Sequence, residues 1–525
     1  MPSQLFQKKS LKVLLDEMAG EHRLRRVLGP VTLTSLGVGA IIGTGIFVLV
    51  GRAAHDMTGP ALMLSFVVAG FACLFAALCY AEFASMAPVA GSAYTYAYTT
   101  LGELMAWIIG WDLILEYAVA SATVSVGWSN YFQQLIGLKW FGWTLPLEIS
   151  KAPVDYKPEL GTFELTGAYF NLPAVAIAAI LTVILVIGIR ESARFNAAMV
   201  IAKLAVVLFV IAVGVFYVDP ANWRPFAPYG YTGLSFFGKS ILGQTDAGGV
   251  PLGMLAGAAT IFFAYIGFDS VSTHAEEARR PQRDVPIAII ASLIICTVLY
   301  IAVAAVLTGM VPSQDLDIEA PVAKAFEARG LDWASLVISV GALTGITSVL
   351  LVMMLSQPRV LLAMARDGLL PPSFFGAVHE RFRTPWKSTI LTGIFVALLG
   401  AVLPIRILSD LVNIGTLFAF VVVCAAVLIM RRTNPDAQRP FRVPFFPLTP
   451  ILGILLCLVL MFSLAVENWL RLAGWLLIGL CIYFFYGRHH SLLALETRRE
   501  LQEHGATPVF PVREPPGKDH PHSHE

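Results

Sequence analysis

Long apolar runs separated by short polar or charged breaks dominate the chain from residue 33 to residue 487. A hydrocarbon layer about 30 Å thick needs roughly 20 apolar residues per helix. On that rule the pattern predicts about twelve spans, near 33–52, 60–87, 103–134, 172–189, 194–218, 252–274, 285–310, 334–365, 386–403, 407–430, 446–465 and 470–487. The first 30 residues are polar and basic (Lys8, Lys9, Lys12, Arg23, Arg25, Arg26), so no cleavable leader is expected and insertion begins with the first span. The tail from 491 to 525 is polar and Pro-rich and ends in His520, His522 and His524. Nothing there fixes a coordination geometry, and it reads as a disordered tail rather than a metal site.

Composition narrows the class. The 525 residues are 57% hydrophobic and 14% charged, whereas a soluble chain is about half apolar and about a quarter charged. The 36 Lys+Arg against 35 Asp+Glu leave no electrostatic footprint for nucleic acid. Cys73, Cys79, Cys296, Cys424, Cys457 and Cys481 lie in apolar runs without metal-ligand spacing and are expected as small buried residues. No Walker lysine loop, HExxH or nucleophile elbow is present, so neither an enzyme nor a cofactor or metal is expected. Basic residues set the orientation. With the N-terminus inside, the inner segments hold 25 Lys+Arg and the outer segments 10, and the remaining one, Lys203, lies within a span. That split predicts both termini in the cytoplasm.

Two spans look interrupted. The first reads Gly37-Val38-Gly39-Ala40-Ile41-Ile42-Gly43-Thr44-Gly45-Ile46-Phe47, and its glycines cost a helix about 1 kcal/mol each. The sixth carries Gly267 beside Asp269 at mid-membrane. Matching interruptions five spans apart point to an inverted-repeat transporter, and close packing through small residues is the competing reading. An unwound stretch in lipid needs partners for its N–H and C=O groups. Half-helix N-termini favour a carboxylate and free carbonyls favour an ammonium, so one site offering both suits an α-amino acid.

On the stretches GAIIGTGIFVLVG (39–51), YAEFASMAPVAGSAYTYAYTTLGE (80–103), FFAYIGFDSVSTHAEEARRPQRDVPIAI (262–289) and MARDGLLP (364–371), the chain resembles the amino acid–polyamine–organocation (APC) superfamily. Within it, the resemblance is to bacterial members of the cationic amino acid transporter family, over roughly residues 25–490. The resemblance implies an all-α polytopic protein with the leucine-transporter fold. Its inverted five-helix repeats would be 31–218 and 252–431, its peripheral helices 446–487, and its cytoplasmic segments 1–30 and 491–525. It also implies amino acid transport by alternating access in a bacterial plasma membrane. By position, Thr44 and Gly45 match the groups that hold the substrate carboxylate. The carbonyls of Ile41, Phe263 and Ile266 match acceptors for the amino group, Phe263 also matches an aromatic gate, and Ala264 is expected to give backbone contact only.

Ionisable residues at membrane depth are candidates for function. Lys203 lies nine residues past Arg194, so snorkelling to the interface is strained. The resemblance instead puts it where sodium-coupled relatives hold a sodium ion, bridging carbonyls around Gly37 to Ala40 to hydroxyls of Thr347 and Ser348 on the eighth span. Asp269 is expected to pair with a basic group, steady the unwound loop or move protons, and Glu116 to meet a cationic side chain or join a polar network. Glu82 reads as structural. The charged run from Glu276 to Asp284 reads as solvated surface or an ion-paired gate, and Trp107, Trp111 and Trp475 as interface anchors.

The leading expectation is proton-coupled symport, with Lys203 taking the place of sodium as the coupling cation, and the substrates expected are small or broad neutral L-amino acids such as alanine, because the residues around the breaks are apolar. Alternatives are an exchanger, a carrier of lysine and arginine, and, remotely, an amino acid receptor that no longer transports.

Overall fold

A computed structural model describes residues 4–9, 28–86, 92–157, 162–188, 193–236, 239–273, 275 and 278–493. Lys12, Arg23, Arg25, Arg26, Arg190, Glu276, Glu277 and the histidines of the C-terminal tail lie outside these residues.

Helix is the dominant structure. The main helices are α1 (Pro30–Ile41), α2 (Leu62–Met86), α3 (Glu103–Gly137), α4 (Leu172–Ile187), α5 (Ala193–Gly214) and α6 (Met254–Ile261), followed by α7 (Pro281–Met310), α8 (Asp332–Arg366), α9 (Trp386–Val402), α10 (Ile405–Thr433), α11 (Leu448–Phe462) and α12 (Val466–Ile482). Among the described residues eight helical stretches are long and apolar enough to cross a membrane. Four shorter apolar helices, α1, α4, α9 and α11, accompany them. Large apolar side chains face outward as well as inward, including Ile180, Val183 and Ile187 on α4 and Ile394 and Leu398 on α9. Such a surface is stable against lipid and costly against water.

The helices pair at a fixed interval. α7 packs along α2, α8 along α3 and α9 along α4. α1 is surrounded by α5, α7 and α8. These contacts bring the C-terminal end of α1 into the centre of the bundle, where Val38 to Val50 are buried.

The two ends of the bundle differ. Three short antiparallel strand pairs decorate the end reached by the C-terminus of α3: β1 (Val154–Lys157) with β2 (Thr162–Leu165), β3 (Leu234–Phe236) with β4 (Lys239–Leu242), and β5 (Gln244–Thr245) with β6 (Pro251–Leu252). Arg406 stacks 4.0 Å from the ring of Tyr156, whose hydroxyl donates to Asp246 at 3.1 Å. Partial burial and the Asp246 carboxylate push the Tyr156 phenol up to about 12. Both terminal segments meet the other end. The Glu103 amide donates to the Gln7 carbonyl, and its carboxylate accepts from Tyr98, Tyr483 and Ser491. Asp367 accepts from Lys9 at 3.1 Å and from Tyr94 at 2.6 Å.

Two expectations need correction. Trp107 is not an interface anchor, whereas Trp111 and Trp475 are half-buried. Trp107 is fully buried and donates to the Gly479 carbonyl, while Trp111 and Trp475 donate to each other's carbonyls at 2.8 and 3.0 Å. Buried indole N–H groups require acceptors, and here they clamp α3 to α12. Five cysteines are buried as expected, but Cys481 is exposed, on the outer face of α12.

Glu82 is fully buried and structural. It accepts from Arg431 at 2.9 and 2.5 Å and from the Val443 amide at 2.7 Å, tying α2 to α10 and the loop beyond it. Removing one partner of a buried ion pair costs about 3 kcal/mol or more. Glu82→Gln is therefore expected to lower the melting temperature of the detergent-purified protein, and an unchanged transition would show that the pair does not hold these elements together.

Candidate functional site

Two helices come apart in the middle of the bundle, and the sequence shows why. α1 stops at Ile41, Ile42 is extended (φ −72°, ψ 105°), and the helix resumes at Gly45. α6 stops at Ile261, tightens into a 3-10 turn over Phe262–Tyr265, and passes through extended Ile266 (φ −60°, ψ 135°). Gly267 follows at φ +116°, a conformation that other residues rarely adopt, and helix resumes at Ser270. Glycine is also needed for contact between the two breaks. A Cβ on Gly267 would stand 2.7 Å from the Ala40 carbonyl oxygen, and one on Gly45 would overlap the backbone of Ala264.

The freed peptide groups find unusual partners. Tyr300 of α7 places its hydroxyl 3.0 Å from the carbonyls of both Ile41 and Ala264. Asn413 of α10 donates to the Ala259 and Thr260 carbonyls at 2.9 and 3.0 Å. Ser270 donates to the Gly267 carbonyl at 2.6 Å. Lys203 of α5 is fully buried and donates to the carbonyls of Gly39 (2.6 Å), Ile42 (3.3 Å) and Gly345 (3.4 Å). One ammonium thus gathers three carbonyl oxygens from α1, its break and α8. The Thr44 hydroxyl, at the start of the resumed first helix, is buried and has no partner among the described residues.

Ile41, Thr44, Gly45, Phe263, Ala264 and Ile266 all lie at the two breaks and are buried. Lys203 reaches carbonyls rather than the hydroxyls expected on α8. The Thr347 hydroxyl instead donates to the Leu343 carbonyl at 2.7 Å and accepts from the Trp128 indole at 3.0 Å. Ser348 is buried on α8, where the Lys203 ammonium bonds the Gly345 carbonyl. The partner of Asp269 is a phenol, not a basic group: Tyr117 of α3 donates to it at 2.7 Å. Glu116 is buried with one carboxyl oxygen unpartnered among the described residues.

Four residues escaped the reading of the sequence. Asp112 is fully buried one helical turn before Glu116, and neither of its oxygens has a partner among the described residues. Its spacing from Glu116 was a visible signal. Tyr117 and Asn413 carried a weaker one, as polar groups inside apolar runs. Tyr300 carried none, because an aromatic residue in an apolar run ordinarily packs. Beyond the breaks, towards the end with the strand pairs, Arg52 pairs with Asp410 at 3.3 Å and donates to Ser409 at 3.2 Å, with all three residues buried.

Residues 28–486 match the family model described as "Amino acid permease". The chain is 49% identical over 494 residues to the branched-chain amino acid permease BcaP of Bacillus subtilis, covering 94% of this chain and 100% of that protein. It is 45% identical over 491 residues to the methylthioribose transporter of the same organism, covering 94% of this chain and 99% of that protein. It is 31% identical over 608 aligned positions to the vacuolar cationic amino acid transporter 4 of Arabidopsis thaliana, covering 94% and 97%.

The close approach of the two breaks gives a direct test. Gly267→Ala forces a side chain onto the Ala40 carbonyl at a backbone angle that disfavours it. A cost of about 1–3 kcal/mol is expected, read as a fall in melting temperature together with loss of ligand binding. A variant that melts and binds like the parent would show that the breaks do not touch in this way.

Proposed function

The chain belongs to the amino acid permease family, and on that footing we propose that it is a proton-coupled symporter of neutral aliphatic L-amino acids. The range runs from alanine to the branched-chain residues. Support for the range comes from the apolar side chains near the breaks, Ile41, Ile42, Phe263, Ile266 and Ile346, and from the name carried by the relative at 49% identity. The substrate carboxylate binds the Thr44 hydroxyl and the Gly45 N–H at the start of a half-helix. Its ammonium binds the carbonyls of Ile41, Phe263 and Ile266, with Ala264 contributing backbone and the Phe263 ring closing over the site.

The observation that carries the proton reading is the setting of Lys203. Three carbonyl oxygens converging from separate segments are the donor set that a bare monovalent cation would need, and a lysine ammonium fills it. In its charged form it draws α1 towards α8. Losing the proton removes that tie, so proton binding and release are linked to the movement of α1. Thr347 and Ser348 shape the α8 wall of this site. Asp269, Tyr117 and Glu116 steady the α6 break and offer a polar route for a proton beside it. Glu116 has no partner on one oxygen among the described residues, which also keeps a cationic substrate as an alternative.

The pairing of α2 with α7, α3 with α8 and α4 with α9 supports two inverted five-helix repeats, 31–218 and 252–431, in a twelve-span leucine-transporter fold with α11 and α12 peripheral. Both terminal segments at one end of the bundle, together with the split of basic residues, support cytoplasmic termini in a bacterial plasma membrane. A methylthioribose carrier is the second reading, favoured by the relative at 45% identity.

Proteoliposomes free of internal substrate test the mechanism and separate symport from exchange. The parent protein is expected to accumulate labelled alanine or leucine under an inward proton gradient and not under a sodium gradient. Lys203→Met is expected to lose at least tenfold of that accumulation while still exchanging substrate across the membrane. Full accumulation by the variant, or sodium-driven uptake by the parent, would contradict proton coupling through Lys203.

A further inference from the structure

The hydroxyl of Tyr300 touches both broken helices at once. Tyr300 lies on α7, on neither broken segment, and is fully buried. Its oxygen stands 3.0 Å from the carbonyl of Ile41, the last residue of α1, and 3.0 Å from the carbonyl of Ala264, inside the α6 break. The ring is held on two sides, with Phe66 of α2 at 5.4 Å and Tyr265 of the α6 turn at 5.5 Å between centroids. Tyr265 is itself fixed, because its hydroxyl donates to the Phe66 carbonyl at 2.8 Å. The hydroxyl therefore has little freedom to leave its position.

A phenol has one proton to donate. It can serve the Ile41 carbonyl or the Ala264 carbonyl fully, or share itself between them, but cannot satisfy both. Each carbonyl also keeps a second lone pair. The arrangement sets the distance between the carbonyls of the two breaks and leaves acceptor capacity on both.

We propose that Tyr300 is a positioning residue, whose shared hydroxyl holds the two breaks in register so that their carbonyls form one cradle for the substrate ammonium. The inference rests on the reading that the breaks bind an amino acid. Without the hydroxyl, the carbonyls of Ile41 and Ala264 drift independently, and the substrate must order them on binding. The loss then falls on affinity. Lys203 lies on other carbonyls, so the response to protons is left in place.

The test compares Tyr300→Phe with Phe66→Leu, which trims the packing and keeps the hydroxyl. Both are measured for concentration-dependent uptake of labelled L-leucine and L-alanine in proteoliposomes, for pH profile and for melting temperature. Tyr300→Phe is expected to raise KM about tenfold, with maximal rate within twofold of the parent and an unchanged pH profile. Phe66→Leu is expected to keep KM within threefold even if it melts lower. An unchanged KM in Tyr300→Phe would overturn the proposal, as would an equal rise in both variants, which would assign the effect to packing. If the parent itself shows no saturable uptake of either amino acid, the amino acid reading of the site fails first, and that outcome is distinct from a parent that saturates beside a Phe variant that matches it.

Discussion

A peptide group in the middle of an apolar slab has no water to bond, and leaving it unpaired costs several kcal/mol. An unbroken helix meets this constraint from within. α1 and α6 do not, and much of the chemistry at the centre of this protein is the consequence. Tyr300, Asn413, Ser270 and Lys203 each come from outside the broken turn they serve, or from its edge, and each donates to carbonyls freed or bent out of line there. The donors do not exhaust the site. The Thr44 hydroxyl has no partner among the described residues, and the carbonyls around Tyr300 share a single proton. On the proposed reading, a ligand with opposite charges a few ångströms apart would complete what the side chains leave open.

Lys203 belongs to the same economy of partners but adds a charge. Its contacts are three carbonyl dipoles, with no carboxylate among them. An ammonium held this way depends on the positions of α1 and α8, and those positions depend on the ammonium. Such mutual dependence is what coupling between a proton and a conformational change requires. The ion pairs Glu82–Arg431 and Arg52–Asp410 hold α10 to α2 and to the resumed first helix, away from the breaks. They frame the centre and do not enter it.

Much of this centre was legible in the sequence. Four glycines in nine residues marked the first break, and Gly267 beside Asp269 marked the second. An isolated lysine in an apolar run announced itself, since lipid leaves a charge no indifferent position. The segments joined by Lys203 were anticipated, and so was the Gly39 carbonyl of α1, but the acceptor on α8 was not. A hydroxyl is visible in a sequence, whereas every residue has a carbonyl, so Gly345 carried no mark and Thr347 drew attention that its bonds to Leu343 and Trp128 do not support. Tyr300 was hidden for the opposite reason. Its ring fits an apolar run, and only the fold shows where its hydroxyl ends. Trp107 misled because a ring near the end of a span suits an interface as well as a helix–helix clamp, and the choice depends on α12 lying against α3.

The central claim is that the peptide groups freed at the breaks hold both ends of a zwitterion. Competition against labelled L-alanine or L-leucine uptake tests it most directly, with the free amino acid, its methyl ester, its N-acetyl derivative and methylthioribose as competitors. Blocking either charge is expected to raise the inhibitory concentration at least a hundredfold, and methylthioribose is expected to compete no better. A methyl ester or an N-acetyl derivative that competes as well as the parent amino acid would contradict the claim.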